Sequence, residues 1–253
     1  MGGQKRLAGE SIAQGADIVK RSFRNVYDYL GMTMVMSAAW FLIGFFPSAL
    51  TFLVMIQVPA INSFLIFAVV SSLLLGPVTA ATYGLASAMV QGEYVTLRDY
   101  WARFVKHYKR AVGLTAAMLG VLAILVVDLI FFVNSQIAWM QYLSVLWVYF
   151  LIFWALMAQY VYVALVRQDR KVWEAMKVAA LLALDNIVAS LMVAITGALV
   201  IAVSVWMRVP LLLFLAGTLA FLHCTAFEII IGKYRGKSEP AGSGEGEREK
   251  TDG

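Results

Sequence analysis

Nineteen of the twenty Lys and Arg residues fall in four stretches, residues 1–30, 91–111, 167–183 and 232–253, and the exception is Arg208. Six long apolar runs separate these stretches, together with three short connections nearly free of charge. Basic segments flanking apolar runs stay on the cytoplasmic side during insertion, so the alternation predicts a hairpin-by-hairpin topology with both termini cytoplasmic. The chain is 62% hydrophobic and 14% charged, which is the composition of an integral membrane protein. The formal net charge of +5 sits beside the apolar runs, where it orients spans and meets headgroups, so nucleic acid is not an expected partner. The lipid bilayer is.

A helical span needs about 20 apolar residues. Six runs meet that length: about 31–55, 61–90, 111–133, 139–166, 186–207 and 210–231. The expected fold is therefore all-α, one integral membrane domain over 1–235. The segment 236–253 is rich in Gly, Ser, Glu and Lys and is expected to be a disordered cytoplasmic tail. Trp40, Trp139 and Trp206 lie towards span ends, as an interfacial belt requires. The second run is too long for a straight perpendicular helix and carries Gly76-Pro77 at its middle. Proline removes a backbone donor and crowds the preceding turn, so a break is expected there, with Thr79 and Thr82 placed to bond the freed carbonyls. Ala80, Gly84 and Ala88 recur every fourth residue, as do Ser190, Ala194 and Ala198. Such stripes allow close helix packing.

The basic stretches have helical periodicity. In the second, Leu97, Trp101, Phe104, Tyr108 and Val112 share a face, and Arg98, Arg103, Lys106, His107, Lys109 and Arg110 fill the rest. Thr96 with Asp99 marks a helix start after a break at Gly92. The expectation is a separate amphipathic helix on the membrane surface, with His107 on its solvated side. The first stretch places Ile12, Val19, Phe23, Val26 and Leu30 together; the third does so for Trp173, Met176, Ala180 and Leu184. Helix, span, span then recurs three times. That reads either as a threefold repeat or as the tendency of any connection beside a membrane to become amphipathic.

Chemistry-bearing residues are few. The two histidines, His107 and His223, and the single Cys224 make no metal-ligand cluster. No glycine-rich phosphate loop, nucleophile elbow or zinc-protease motif is present. No catalytic, cofactor-binding or metal-ligating residue is expected, and the chain is not read as an enzyme. Ionisable or polar groups within spans are functional candidates by default, which singles out Asp128, His223 and Glu228. Asp128 and Arg208 are the charged residues assigned to the outer half, and a pair between them is expected. Gly76, Pro77 and Thr79 are candidates through the break in the second span, and Trp101 and Phe104 through the aromatic face.

Gly76-Pro77-Val78-Thr79-Ala80-Ala81, then Gly92-Glu93, then Leu97-Arg98-Asp99-Tyr100-Trp101-Ala102-Arg103-Phe104 with Lys106 resembles the YesL-like family, bacterial membrane proteins of unknown function. The resemblance covers about residues 20–115. It implies a bacterial inner-membrane protein. Members tend to be encoded beside carbohydrate uptake and polysaccharide-degradation systems, so it also implies an accessory role with a carbohydrate-transport permease as partner. The family offers no catalytic residues to carry over. Two other readings stand beside it: a small transporter with a path near Pro77, and a membrane-embedded enzyme acting on lipid.

Overall fold

The computed structural model describes residues 2–58, 61–169, 171–207 and 213–238. About 92% is helical, with no strand among the described residues. Six helices are long and apolar enough to cross a membrane, and the protein is a multi-pass membrane protein. The first span is made of α2 (Leu30–Ala39) and α3 (Phe46–Gln57). The second is α4 (Ile61–Val70) and α5 (Gly76–Val90). α6 (Leu97–Val133) and α7 (Ala138–Arg167) form the next hairpin. α9 (Ile187–Met207) and α10 (Leu215–Ser238) form the last. Two further helices, α1 (Gly2–Asp28) and α8 (Val172–Asp185), lie at the basic end. Arg208 and residues 239–253 lie outside the described residues. Gly236 to Ser238, assigned from sequence to the tail, are the end of α10.

Both spans of the first hairpin are interrupted by a π-helical turn. One covers Trp40–Phe45 and the other Ser71–Leu75. Each runs just ahead of a proline, Pro47 or Pro77. The Phe46 N–H reaches back to the Phe41 carbonyl and the Gly76 N–H to Ser71, five residues in each case. A proline cannot donate to the carbonyl four residues back and its ring crowds that turn; widening the turn is one way to fit it. The expected break at Gly76-Pro77 is thus a π turn immediately upstream. Thr79 Oγ1 donates to the Leu75 carbonyl (2.6 Å) and Thr82 Oγ1 to that of Val78 (2.9 Å). The two irregular turns meet, since a Cβ on Gly44 would lie 3.2 Å from Leu75 Cα. Trp40, expected in an interfacial belt, turns its indole towards the second span: its Nε1 donates to Thr79 Oγ1 at 2.9 Å.

α5 is the centre. Twelve of its fifteen residues are buried, and it touches α6, α7 and α10. A Cβ on Gly76 would lie 2.2 Å from Thr115 Oγ1 and 2.9 Å from the Ala111 carbonyl oxygen on α6. One on Gly84 would lie 3.0 Å from Val166 of α7 and 3.2 Å from the Arg103 stem. The small-residue stripe therefore packs as its spacing predicts. α10 repeats the device against α2: Gly217 lies against Thr33, and its N–H donates to Ser37 Oγ at 2.8 Å. Gly217 is in the first turn of α10, where backbone donors lack intrahelical partners, so a neighbouring helix supplies the cap.

The amphipathic helices differ from expectation. Residues 97–110 are the first part of the continuous 37-residue α6, not a separate surface helix. They run beside α5, with Arg103 at Gly84 and Ala111 at Gly76. The helix start is as read: the Asp99 carboxylate accepts from the Thr96 N–H and hydroxyl, each at 2.8 Å. The first and third are joined to their spans by a single non-helical residue, Tyr29 (φ −115°, ψ 34°) and Asn186 (φ −128°, ψ 49°). The apolar faces read from sequence are divided: Val19, Val26, Met176 and Ala180 pack against the core, and the rest of the described ones do not. α1 buries Gly15, Ile18 and Ser22 while Phe23 and Leu30 are exposed; the side chain of Ile12 lies outside the described ones. α8 buries Ala175, Ala179, Leu182 and Ala183 while Trp173 and Leu184 are exposed. His107 is buried, 2% exposed, and not on a solvated face. Small side chains let helices approach, and large apolar ones are satisfied by acyl chains.

Gly76→Ala is expected to destabilise by about 1–3 kcal/mol through overpacking of the α5–α6 seam. Gly120→Ala meets nothing within 4 Å and is expected to be neutral or to stabilise by up to about 1 kcal/mol. Thermal unfolding in detergent compares the two; equal effects would refute the packing argument.

Candidate functional site

A part-buried polar system lies where α5, α7 and α10 meet, with Thr115 of α6. Tyr83 Oη and His223 Nδ1 are hydrogen-bonded at 2.6 Å, with their rings stacked at 5.8 Å. Tyr162 packs against Tyr83 (5.9 Å between centroids), and its hydroxyl bonds Thr115 Oγ1 at 2.7 Å. Cys224 Sγ donates to the Tyr83 carbonyl. His223 is thus held by a tyrosine within the protein.

Towards the basic end the site becomes charged. α5 closes with a turn in which the Glu93 N–H donates to the Ala88 carbonyl (3.0 Å) and the Gly92 N–H to Met89 (2.9 Å). Gly92 sits at φ +79°, where a Cβ is disfavoured and glycine is the usual helix terminator. This turn sets Glu93 across from α6, its carboxylate 3.6 Å from Arg103. Arg167 ends α7, pairs with Glu228 of α10 and lies over the Phe227 ring at 5.8 Å. Beyond it, Asp169 (φ 48°) accepts from Arg110 through both its carbonyl (3.0 Å) and its carboxylate (2.5 Å). His107 Nδ1 lies 3.9 Å from the same carboxylate.

Two polar cavities flank α10 here. The smaller, about 300 Å³, is lined by Ser87, Gln91, Glu93, Arg103, Arg167, Gln168 and Phe227 among others. The larger, about 540 Å³, lies between α1 and α10 and is lined by Asp17, Lys20, Arg21, Arg24, Asn25, Asp28, Thr225 and Glu228 with neighbours. Asn25 Nδ2 donates to Thr225 Oγ1 at its wall (3.3 Å). The Arg167–Glu228 pair is the partition, with Arg167 lining one cavity and Glu228 the other. A third groove, about 320 Å³ and almost wholly apolar, runs between α4 and α6 past Phe64, Ser72, Ala116 and Gly120.

Of the residues singled out from sequence, the structure brings only Glu228 to a polar cavity. Gly76 and Pro77 are buried in the α5–α6 seam, and Thr79 is engaged with Trp40 and Leu75. Trp101 is 61% exposed and stacks on Phe104 at 5.0 Å. Asp128 is half-buried and makes no ion pair with a described residue. Its expected partner Arg208 lies outside the described residues. Arg103, Arg167, Gln168 and Glu93 were not singled out. Glu93 and Arg103 are ten residues apart across a turn and Arg167 is two helices away, so spacing carries no sign of their meeting. No group of three or more His, Cys, Asp or Glu able to hold a metal is present among the described residues. No family model matches the chain, and neither a curated protein nor a solved structure does.

Tyr83→Phe leaves His223 Nδ1 without its partner in a buried position and is expected to cost about 1–3 kcal/mol. A double change, Tyr83→Phe with His223→Leu, is expected to recover part of that loss. Unfolding midpoints in detergent report both; no recovery would mean that the histidine packs rather than bonds.

Proposed function

We propose that this chain is a multi-pass protein of the bacterial inner membrane, with its basic end and both termini in the cytoplasm. On this reading it serves a carbohydrate uptake system as an accessory component, through that cytoplasmic end. The orientation rests on the charge distribution, nineteen basic residues against one. The link to carbohydrate uptake rests on the resemblance carried by residues 76–106. The observation that favours a binding component is where the polar cavities lie. Both flank the Arg167–Glu228 pair at the basic end, while the Gly76-Pro77 seam is closed by direct contact with α6. A transporter with its path at Pro77 would need that seam to open. A lipid-active enzyme built on His223 or Glu228 would need groups that are here bonded to Tyr83 and Arg167.

Reporter fusions at Gly236 and within Asn134–Ala138 are expected to mark opposite sides of the membrane, and the same side for both would sink the orientation. Affinity purification of the full chain from native membranes, followed by mass spectrometry, is expected to enrich a carbohydrate permease subunit. Loss of that enrichment on charge reversal of Lys20 and Arg24, which line the larger cavity, is the expected control. Substrate flux by the chain alone in proteoliposomes would favour the transporter instead.

A further inference from the structure

We propose that the smaller polar cavity binds a phosphate ester of a polyol, presented as a lipid headgroup or as a free solute. Arg103 carries this assignment. Its side chain is only 28% exposed, and its stem is held against Gly84. A guanidinium has five N–H donors, yet Arg103 makes no hydrogen bond among the described residues. Of its acidic neighbours, Asp99 one turn earlier on α6 acts on it only through space, and Glu93 is 3.6 Å away, beyond hydrogen-bond reach. A guanidinium on a part-buried stem, with no protein acceptor on its donors, is a site for an oxyanion, and phosphate suits its planar fork. Arg167 adds a second positive charge at the same wall, fixed by Glu228 and Phe227.

The second half of the ligand follows from Gln168. Gln168 lines this cavity, and its Oε1 is buried without a hydrogen-bond partner. An acceptor left in that state calls for a donor. A phosphate diester offers none of its own, whereas a polyol hydroxyl next to the phosphate does. The α5 and α7 carbonyl ends also face this region, and their partial negative charge opposes an anion. Glu93 adds to that opposition. It is 57% exposed and sits just after the Gly92 turn, so it stands beside Arg103 as a weakly held internal anion. A ligand phosphate would displace it. The cavity lies where α7 ends, at Arg167 and Gln168, which is headgroup level if the basic end meets the membrane surface. The proposal does not depend on the carbohydrate reading and survives its failure.

The test uses the full chain in a neutral detergent, titrated separately with phosphatidylglycerol, phosphatidylcholine, glycerol 3-phosphate and inorganic phosphate, with unfolding temperature as readout. Saturable stabilisation by phosphatidylglycerol alone assigns the lipid source; the same response to glycerol 3-phosphate assigns the soluble one. Arg103→Gln is expected to weaken binding by about tenfold or more, the scale of a lost charge-assisted bond. Glu93→Gln is expected to tighten it, because the competing anion is gone, and Gln168→Leu to weaken binding of both glycerophosphates. Glu93→Gln is a half-exposed loop change, so it stays informative should Arg103→Gln fail to fold. No response to either glycerophosphate, an unchanged response in Arg103→Gln, or weaker binding in Glu93→Gln would overturn the proposal.

Discussion

α5 occupies the centre of the bundle because it carries so little side-chain volume. In a bilayer there is no hydrophobic gain from pressing one apolar helix on another, so association depends on close contact and hydrogen bonds. Gly76 brings α5 onto the backbone of α6, and Gly84 brings it onto α7. Everything polar at the basic end follows from these approaches. Arg103 lies against Gly84, Val166 and therefore Arg167 are drawn alongside, and the α5 terminus delivers Glu93 to the same place. A larger residue at position 84 would part the walls of the smaller cavity.

Hydrogen bonds then fix which helices are neighbours. Trp40–Thr79, Tyr83–His223, Thr115–Tyr162, Tyr160–Ser190, Asn25–Thr225 and Ser37–Gly217 each join two different helices. Each is individually modest, of the order of 1 kcal/mol in membranes. Together they define one arrangement of helices whose outer surfaces are interchangeable hydrocarbon. The π turns contribute in the same way, since the widened backbone at Ser71–Leu75 sets the rotation of α5 relative to α4.

The spans and the break near Pro77 were legible in the sequence because length and proline chemistry act locally. The stripe Ala80, Gly84 and Ala88 was legible for the same reason. Less legible was which residues of α1, α6 and α8 turn towards the protein. Periodicity finds the apolar side of a helix, and in water that side packs inward. Here Phe23, Trp101 and Trp173 stay exposed, and the quieter faces of Gly15, His107 and Ala179 turn inward. Glu228 was singled out from sequence as an ionisable group in a span, and it lines a polar cavity. Its partner Arg167 looked like one more orienting charge, because nothing in a sequence separates a cation that faces headgroups from one turned into the bundle.

The contact of α1 with α9 and α10 has a consequence for biogenesis. Asn25 and Thr225 are 200 residues apart. At about 5–20 residues per second of translation, the first helix waits roughly 10–40 s before its docking surface on the last span exists. During that interval its inward face, with Gly15, Ile18 and Ser22, has no native cover. α1 is made before the spans that secure it, so its docking reports that the hairpin of α9 and α10 has been inserted.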